Sequence, residues 1–310
     1  MEFFHTVSKF PFMHTRRIWY VVSGLAIVAS LVMLWARPLN LGIDFTGGVV
    51  MQFQFPETPN VEKIRTALTS AGYHEPHVQQ AGTREALVRL RTKEGENTGQ
   101  MAAHVQSLLK AVDPNVELRG SEEVYPQVGK ELTEQGGVAI LFTFLLIGIY
   151  TWFRFQWKMG VSAVVATLHD PILILGFFSA TQISVDLSVL AAVLAVIGYS
   201  LNDTVVVFDR VRENFHAMRK VESEEVLDAS INQTLSRTII TSGATLLVVV
   251  VLLIFGGETL RGFSWALTIG IIIGTYSSIY VAGALSLELK LSSIDLMPTQ
   301  KKDAELDALP

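Results

Sequence analysis

Six apolar stretches stand out in the pattern of hydrophobic and polar positions along the chain, and each has about the length of a bilayer-spanning helix. A helix of about 20 residues, rising 1.5 Å per residue, crosses the roughly 30 Å of hydrocarbon in a membrane. The pattern therefore predicts a polytopic α-helical membrane protein with six transmembrane helices. The predicted spans are residues 18–36, 137–153, 159–180, 187–208, 237–255 and 263–287.

A long polar insertion, residues 37–136, separates the first span from the second and has the pattern of a small α+β domain. Alternating apolar positions predict strands, and apolar positions three and four residues apart predict two helices, the first capped by Asn60. The predicted order, with a turn at Gly82, is βαββαβ, the ferredoxin-like arrangement. The strands are expected at 49–55, 77–81, 85–91 and 115–124, and the helices at about 61–72 and 99–112.

The composition agrees with a membrane protein and narrows its chemistry. Of the 310 residues, 50% are hydrophobic and only 17% are charged, and the mean hydropathy is +0.39. There is no cysteine, which excludes disulfides, cysteine-ligated zinc and thiol nucleophiles. A Walker-type phosphate loop is also missing, because Gly129 and Lys130 are followed by Glu131. If the protein does work, we expect its energy to come from a source other than ATP. Our expectation is a protein that is not an enzyme, with no catalytic residue, cofactor or metal.

Lysine and arginine near the ends of the spans predict the orientation, because cytoplasmic loops carry an excess of them. They concentrate in residues 1–17, in the turn at 154–158, in the amphipathic segment 209–236 and in the tail 288–310. In the opposite short loops Arg261 is the only basic residue. We predict that both termini are cytoplasmic and that the domain at 37–136 lies outside.

Asn202 and Asp203 lie within the fourth span, away from both of its ends. A charged carboxylate in hydrocarbon costs about 3 kcal/mol or more, so such residues normally face other helices and mark an ion or proton path. An asparagine can serve simply as hydrogen-bonding glue between helices, but glue does not need a titratable group. Asp203 is therefore the first candidate for a proton relay, with Asn202 as an accessory residue.

Three further polar sites are weaker candidates. Arg237 opens the fifth span and is either the second relay residue or an anchor at the membrane surface. His169 and Asp170 precede a proline in the third span and form either a hinge or a further part of the relay. Asp44, just after the first span, is an accessory candidate that is more simply explained as part of a structural turn.

Small residues recur every four positions in the sixth span, beginning with Gly270, Gly274 and Ser278. This spacing places them on one face of the helix, where they let another helix approach closely. The pattern predicts a packing ridge and needs no catalytic role.

Three motifs resemble a known family. LGIDFTGG (41–48), GYSLNDTVVVFDRVREN (198–214) and SRTIITSGATL (236–246) resemble SecF, the family of smaller subunits of bacterial SecDF protein-export complexes, within the resistance–nodulation–division superfamily. The likeness extends over essentially the whole chain. One departure is VYPQVG (124–129), where Tyr125 stands at a position that is often glycine in the family.

The resemblance implies a function and a set of partners. It implies use of the proton-motive force, a heterodimer with SecD, and assistance to the late translocation of an exported polypeptide through SecYEG, with YajC and YidC as further partners. It also implies a multi-pass protein of the bacterial inner membrane, embedded in the lipid bilayer, with no nucleic-acid partner. Asp203 and Arg237 stand at the positions of the proton-relay aspartate and arginine of the family.

Two other functions stay open at this point. A half-size transporter of the same superfamily, for lipid or drug, would share the spans, although such transporters usually carry twice as many in one chain. An intramembrane aspartyl protease would use Asp170 and Asp203 as a dyad that shares a proton. The GxGD signature of those proteases is missing, because Asp203 lies in the sequence SLND.

Overall fold

The computed structural model describes residues 8–73, 76–81, 83–91, 98–218 and 220–296. The elements in chain order are α1 (Arg16–Ala36), α2 (Ile43–Thr46), β1 (Gly48–Gln54), α3 (Val61–Ser70), β2 (His77–Gln80), β3 (Glu85–Leu90), α4 (Thr98–Val112), β4 (Glu117–Val124), α5 (Pro126–Arg154), α6 (Trp157–Thr181), α7 (Leu187–Ala217), α8 (Ser223–Phe255), α9 (Gly257–Ser277), a π-helical segment (Ser278–Gly283), α10 (Ala284–Glu288) and α11 (Ser293–Leu296). The predicted turn at Gly82 and the tail beyond residue 296 lie outside the described residues.

Six of these helices are long and apolar enough to cross a membrane, as the sequence predicts. They are α1, α5, α6, α7, α8 and the continuous helix that runs from Leu260 through the π-helical segment to Glu288. α6, α7 and the sixth span are the most buried, whereas α1, α5 and α8 expose most of their apolar side chains. The membrane half is therefore a bundle with three inner helices and three outer ones.

One antiparallel sheet of four strands forms the insertion domain, in the order β2-β3-β1-β4. β1 lies near the centre and pairs Met51 with Val88 of β3 and with Ser121 of β4. β2 pairs with β3 at one edge. Together with α3 and α4 the chain order is βαββαβ. The predicted fold class is confirmed.

The sheet and its two helices enclose a hydrophobic core of their own. Side chains alternate between the two faces of a strand, so Met51 and Phe53 of β1 point to the same side, where both are fully buried. α3 and α4 cover that side with Leu68 and Leu109, which are also fully buried. The domain has the layered core that an independently folding unit needs.

Local sequence signals set the ends of α3. The Asn60 side chain accepts a hydrogen bond from the backbone N–H of Lys63 at 3.0 Å, which is the predicted N-cap. Gly72, two residues beyond the helix, has a φ of +88°, a left-handed conformation that favours glycine.

α5 begins at Pro126, well before the predicted start of the second span at 137. Its polar first turns do not end the helix, because they pack on α2 rather than entering lipid. Gly129 lies so close to the backbone carbonyl of Phe45 that any side chain there would clash. Tyr125 is the extended residue before the helix, with φ −67° and ψ 138°, a conformation that does not need glycine.

The segment 209–236, expected to be a separate amphipathic piece, belongs to the ends of α7 and α8. Asn214 of α7 donates to the Ser230 hydroxyl at 2.9 Å and to Gln233 at 3.0 Å, which ties the two helix ends together. The N-terminal segment docks beside them through a hydrogen bond from the Met13 N–H to Asp228 at 2.8 Å. Apolar packing under these contacts explains why both helices continue beyond the membrane-length stretch.

The predicted small-residue ridge packs on α7 of the same chain. A side chain on Gly270 would collide with Val196, and a Cβ on Gly274 would lie 3.0 Å from Cβ of Ser200. Ser278 is fully buried but opens the π-helical segment, so the four-residue period of the ridge is interrupted there. Close approach of α9 to α7 is thus set by the two glycines.

A short ionic contact holds the segment after the last span. Lys158, at the start of α6, lies 2.7 Å from the carboxylate of Asp295 in α11. Burial disfavours the charged form of Asp295 and by itself would raise its pKa. The hydrogen bonds from Lys158 and Ser292 outweigh that effect and keep the pKa of Asp295 below its ordinary value. Because that pKa is depressed, the contact stabilises the segment at neutral pH and weakens as the pH falls through the folded-state value.

We predict that residues 48–125 fold when they are expressed alone, because they contain all four strands and both helices of the domain. The expected result is a cooperative thermal transition with mixed α/β circular dichroism. Leu68→Ala should lower the free energy of unfolding by about 2–5 kcal/mol, since it opens a cavity in the core. Lys63→Ala, at an exposed position of the same helix, should change it by less than about 0.5 kcal/mol. A random-coil spectrum would contradict the assignment.

We predict that Gly274→Leu prevents normal assembly of the helix bundle, because a leucine cannot fit where α9 meets α7. The matched control is Gly24→Leu on α1, where a side chain would meet open space. Fluorescence-detected gel filtration and the thermal midpoint of both variants in detergent measure the difference. Equal yield and midpoint for the two variants would show that the α7–α9 contact does not need glycine.

Candidate functional site

The carboxyl group of Asp203 lies inside the helix bundle, near the middle of α7. Its residue is only 4% exposed, and its Oδ2 atom is fully buried without a hydrogen-bond partner in the part of the chain that the structure describes. Burying an ionised carboxylate without full hydrogen bonding is strongly unfavourable. The position is therefore suited to a group that changes its charge.

α8 supplies the polar partners of this carboxyl group. The positive charge of Arg237 attracts the carboxylate of Asp203. Ser242, on the same helix, lies close enough to that carboxylate to hydrogen-bond with it. The two groups do not form a close ion pair: among the described residues, Asp203 and Arg237 have no nitrogen–oxygen contact within 4.0 Å. Arg237 and Asp203 therefore interact through their charges at a longer range than a salt bridge.

Hydroxyl groups extend the site toward α9. The Tyr199 hydroxyl donates to Oγ of Ser242 at 3.1 Å, and Oγ of Ser242 lies 2.8 Å from Oγ1 of Thr275. α7, α8 and α9 thus meet at Ser242 next to Asp203. The helical repeat brings these groups together, because it places each hydroxyl on the side of its helix that packs against a neighbouring helix.

Asn202 and Arg237 both lie at the surface of the single chain, although they belong to helices that cross the membrane. Thr241, one turn after Arg237, is exposed as well, and its hydroxyl bonds back to the Arg237 carbonyl at 3.0 Å. Polar groups are rarely left facing lipid. Asn202, Arg237 and Thr241 are therefore three exposed polar side chains on α7 and α8.

His169 and Asp170 lie deep in the bundle on α6, which runs through Pro171 without a break. Oδ1 of Asp170 lies 2.9 Å from Nδ1 of His169. Oδ2 accepts hydrogen bonds from Ser200 at 2.5 Å and from Ser277 at 3.0 Å. Both oxygens of Asp170 therefore have polar neighbours, and sequence reasoning did not identify Ser200 or Ser277 as neighbours of this pair.

The same contacts disfavour an aspartyl-protease dyad. In such a dyad the two carboxyl groups share a proton directly. In the described residues both oxygens of Asp170 are instead bonded to His169, Ser200 and Ser277, and no hydrogen bond joins Asp170 to Asp203.

Asp44 serves the junction between the insertion domain and the bundle. Its carboxylate accepts a hydrogen bond from the backbone N–H of Leu187 at 3.1 Å, at the first residue of α7. Next to it, the N–H of Gly42 donates to the carbonyl of Val185 at 2.7 Å. Orphan N–H groups at a helix start favour such an anionic partner. Asp44 thus joins the turn before β1 to the first residue of α7.

Within the described ranges, no group of three or more His, Cys, Asp or Glu side chains is arranged to hold a metal ion.

Two family models match the chain. The model described as protein export membrane protein SecD/SecF, C-terminal, matches residues 104–292, and the SecD/SecF GG motif matches residues 32–55. The second match includes Asp44 and the adjoining turn.

Curated relatives match nearly the whole chain. Protein translocase subunit SecF of Vibrio alginolyticus is 48% identical over 305 residues, covering 96% of this chain and 96% of the relative. The protein of the same name from Escherichia coli O157:H7 is 39% identical over 304 residues, covering 97% of this chain and 94% of the relative.

Solved structures of SecDF share the fold. SecDF in the super-membrane-facing form matches 93% of this chain at 36% identity with a TM-score of 0.76. A second SecDF structure, described as a translocon-associated membrane protein from Thermus, matches 91% at 36% identity with a TM-score of 0.75. This chain spans only 39% of the length of either SecDF chain.

Proposed function

Since the chain belongs to the SecD/SecF family of protein export membrane proteins, as a SecF subunit, we propose that it works as one half of a SecDF export factor driven by the proton-motive force. In this proposal it pairs with SecD and assists the late translocation of an exported polypeptide through SecYEG. YajC and YidC are further partners of the assembly. The insertion domain lies on the outer side of the bacterial inner membrane, and both termini lie in the cytoplasm.

The observation that carries the proposal is the buried Asp203 carboxyl group, one oxygen of which has no hydrogen-bond partner among the described residues, within electrostatic range of Arg237. When Asp203 is charged, it attracts Arg237 of α8. When it takes up a proton, that attraction disappears and the two helices are free to repack. The proton is thereby converted into a change in helix packing.

The available energy fits a repeated small movement. One elementary charge that crosses the membrane releases about 2.3 kcal/mol per 100 mV. That energy cannot pull a long polypeptide through in one stroke, but it can bias an equilibrium between two domain orientations. Asp44 and the Gly42–Val185 hydrogen bond link the insertion domain to the start of α7. A movement of α7 at the Asp203 site can therefore be passed to the insertion domain.

The exposure of the polar side chains of Asn202, Arg237 and Thr241 supports pairing with SecD. A polar face in a bilayer is stabilised when another helix supplies hydrogen-bonding groups. The length of the solved SecDF chains also agrees with such a pair, because this chain spans only 39% of one of them and leaves room for a second unit of its size.

We predict that Asp203→Asn keeps the fold and the pairing with SecD but loses most export stimulation that depends on the proton-motive force, by roughly an order of magnitude or more. The asparagine retains size and hydrogen bonding but cannot change charge. Arg237→Lys should lose part of the stimulation, and Arg237→Ala nearly all of it. The measurement is export into membrane vesicles with and without a proton-motive force.

The matched control is Ser264→Ala, which removes a fully buried α9 hydroxyl that has no partner among the described residues. It should leave export unchanged. A structural role for Asp203 predicts the reverse pattern, in which Asn is tolerated and Asp203→Ala fails to assemble. Full export activity in Asp203→Asn would end the proton-relay proposal.

We predict that Asn202→Leu lowers the amount of SecD that co-purifies, because leucine leaves polar groups of the partner helix without a hydrogen bond. The control is Leu145→Ala, an exposed apolar position on α5. If Asn202 faced lipid instead, the leucine would be harmless, and both variants would recover SecD equally well.

A further inference from the structure

A cavity of about 470 Å³, here the junction cavity, lies between the insertion domain and the ends of the spans nearest to it. α3, β2 and β3 line it on the side of the domain. The end of α6, the turn before α7 and the start of the sixth span line it on the side of the bundle. Cavities of about 300–1,000 Å³ are typical of sites that hold small molecules. The proposed relay uses none of the residues that line this cavity.

The charged groups of the junction cavity are mostly cationic. Its lining contains three arginines and one aspartate, namely Arg65, Arg89, Arg261 and Asp186. Arg65 forms an ion pair with Glu62 of its own helix at 2.6 Å. Oδ1 of Asp186 accepts hydrogen bonds from the Ser188 hydroxyl at 2.6 Å and from the Val189 N–H at 3.0 Å, which caps α7. Even counted with Glu62, these side chains leave an excess of positive charge, which favours an anionic ligand.

Arg89 has a polar atom that the described residues leave without a partner. In β3 it stands opposite Val50 of β1 and His77 of β2. Its neighbours Val88 and Leu90 point into the domain core, so the alternation of the strand places Arg89 on the other face of the sheet. Nε of Arg89 is fully buried and has no hydrogen-bond partner in the described part of the chain, and no described carboxylate lies within 4.0 Å of its side chain. A buried guanidinium N–H without an acceptor is unfavourable, and a bound anion supplies one.

Arg261 also lines a second cavity, which is mostly apolar. This α8–α9 groove, of about 410 Å³, lies between the end of α8 and the start of α9, and its other lining residues are Leu253, Ile254, Gly257 and Trp265. Because Arg261 borders both cavities, a molecule with an anionic head and an apolar tail fits the two together. Phospholipids have this structure, and tryptophan is enriched at the depth of their headgroups.

Both cavities lie where the spans end on the side of the insertion domain. α6 ends at Thr181, and the sixth span begins at Leu260. Phospholipid headgroups lie at this depth, just outside the roughly 30 Å of hydrocarbon that the spans cross. Leu253 follows Arg237 by 16 residues, which places it about 160° around α8, on the opposite side of that helix. Pairing with SecD at Arg237 therefore leaves the α8–α9 groove open to lipid.

We propose that the two cavities bind one anionic phospholipid, with its phosphate between Arg89 and Arg261 and an acyl chain along Leu253 and Ile254. The planar guanidinium group of arginine matches the oxygens of a phosphate in pairs, which suits this headgroup. An acidic stretch of polypeptide would supply the same charge but has no acyl chain to fill the groove. A lipid bound there contacts the insertion domain and the bundle at once, so it helps to hold the domain in place on the spans. The inference goes beyond the proposed function and does not depend on a change of charge at Asp203.

The test is photolabelling of the full chain, co-purified with SecD and placed in phosphatidylcholine nanodiscs. The probe is phosphatidylglycerol with a photoreactive diazirine in one acyl chain, compared with phosphatidylcholine that carries the same group, and mass spectrometry of peptides locates the label. We expect phosphatidylglycerol to label residues 253–265 about tenfold more than phosphatidylcholine does, and the double variant Arg89→Gln, Arg261→Gln to lose that preference. The matched control is Arg119→Gln on β4, at the opposite edge of the sheet from β2, which should keep it.

The outcomes distinguish the lipid from other anions. Preferential labelling that persists in excess inorganic phosphate and in excess polyglutamate peptide supports the phospholipid. Loss of the label to either competitor assigns the arginines to that ligand and overturns the proposal. Equal labelling by the two lipids, or an unchanged preference in the double variant, overturns it as well. Thermal midpoints in the same nanodiscs show whether each variant is folded. Should the double variant unfold, Arg261→Gln alone, at an exposed position, should reduce the labelling by about threefold or more, and unchanged labelling there overturns the proposal.

Discussion

The constraint on which the membrane half depends is the free energy of burying an ionisable carboxyl group. Water stabilises a carboxylate far better than a helix bundle does, so a buried one needs hydrogen bonds, a counter-charge or a proton. Asp170 has three hydrogen-bonding partners, whereas Asp203 has an oxygen with no partner among the described residues and an arginine at longer range. The two carboxyl groups thus meet the same constraint in different ways.

Close helix packing is what brings these groups together. Gly270 and Gly274 let α9 lie directly on α7, and Ser200 at the Gly274 contact is the residue that bonds Asp170. A larger residue at Gly274 would therefore push α9 away from α7. It would also displace Ser200, which donates a hydrogen bond to the buried carboxyl group of Asp170. Packing and electrostatics are coupled at this one contact, which explains why small residues stand beside ionisable ones in the core.

Local features of the structure were predictable from sequence, and distant contacts were not. The alternation in β1, the cap at Asn60 and the glycine spacing in α9 each depend on neighbouring residues, and the structure has all three. Asp203 was recognisable because a carboxylate within an apolar run is anomalous. Ser277 gave no such signal, since a serine is ordinary in a membrane helix and its contact with Asp170 spans 107 positions. The early start of α5 was missed because tertiary packing on α2 stabilises its polar turns.

The proposed relay requires that Asp203 changes its charge inside the membrane. Infrared difference spectroscopy of the membrane-embedded SecD complex, recorded at high and low pH, detects the carbonyl stretch of a protonated carboxyl group directly. The account predicts a band that appears on acidification and is missing in Asp203→Asn, with the characteristic shift in D₂O. Difference spectra in which that band persists in Asp203→Asn, or never appears in the unchanged protein, would contradict the account.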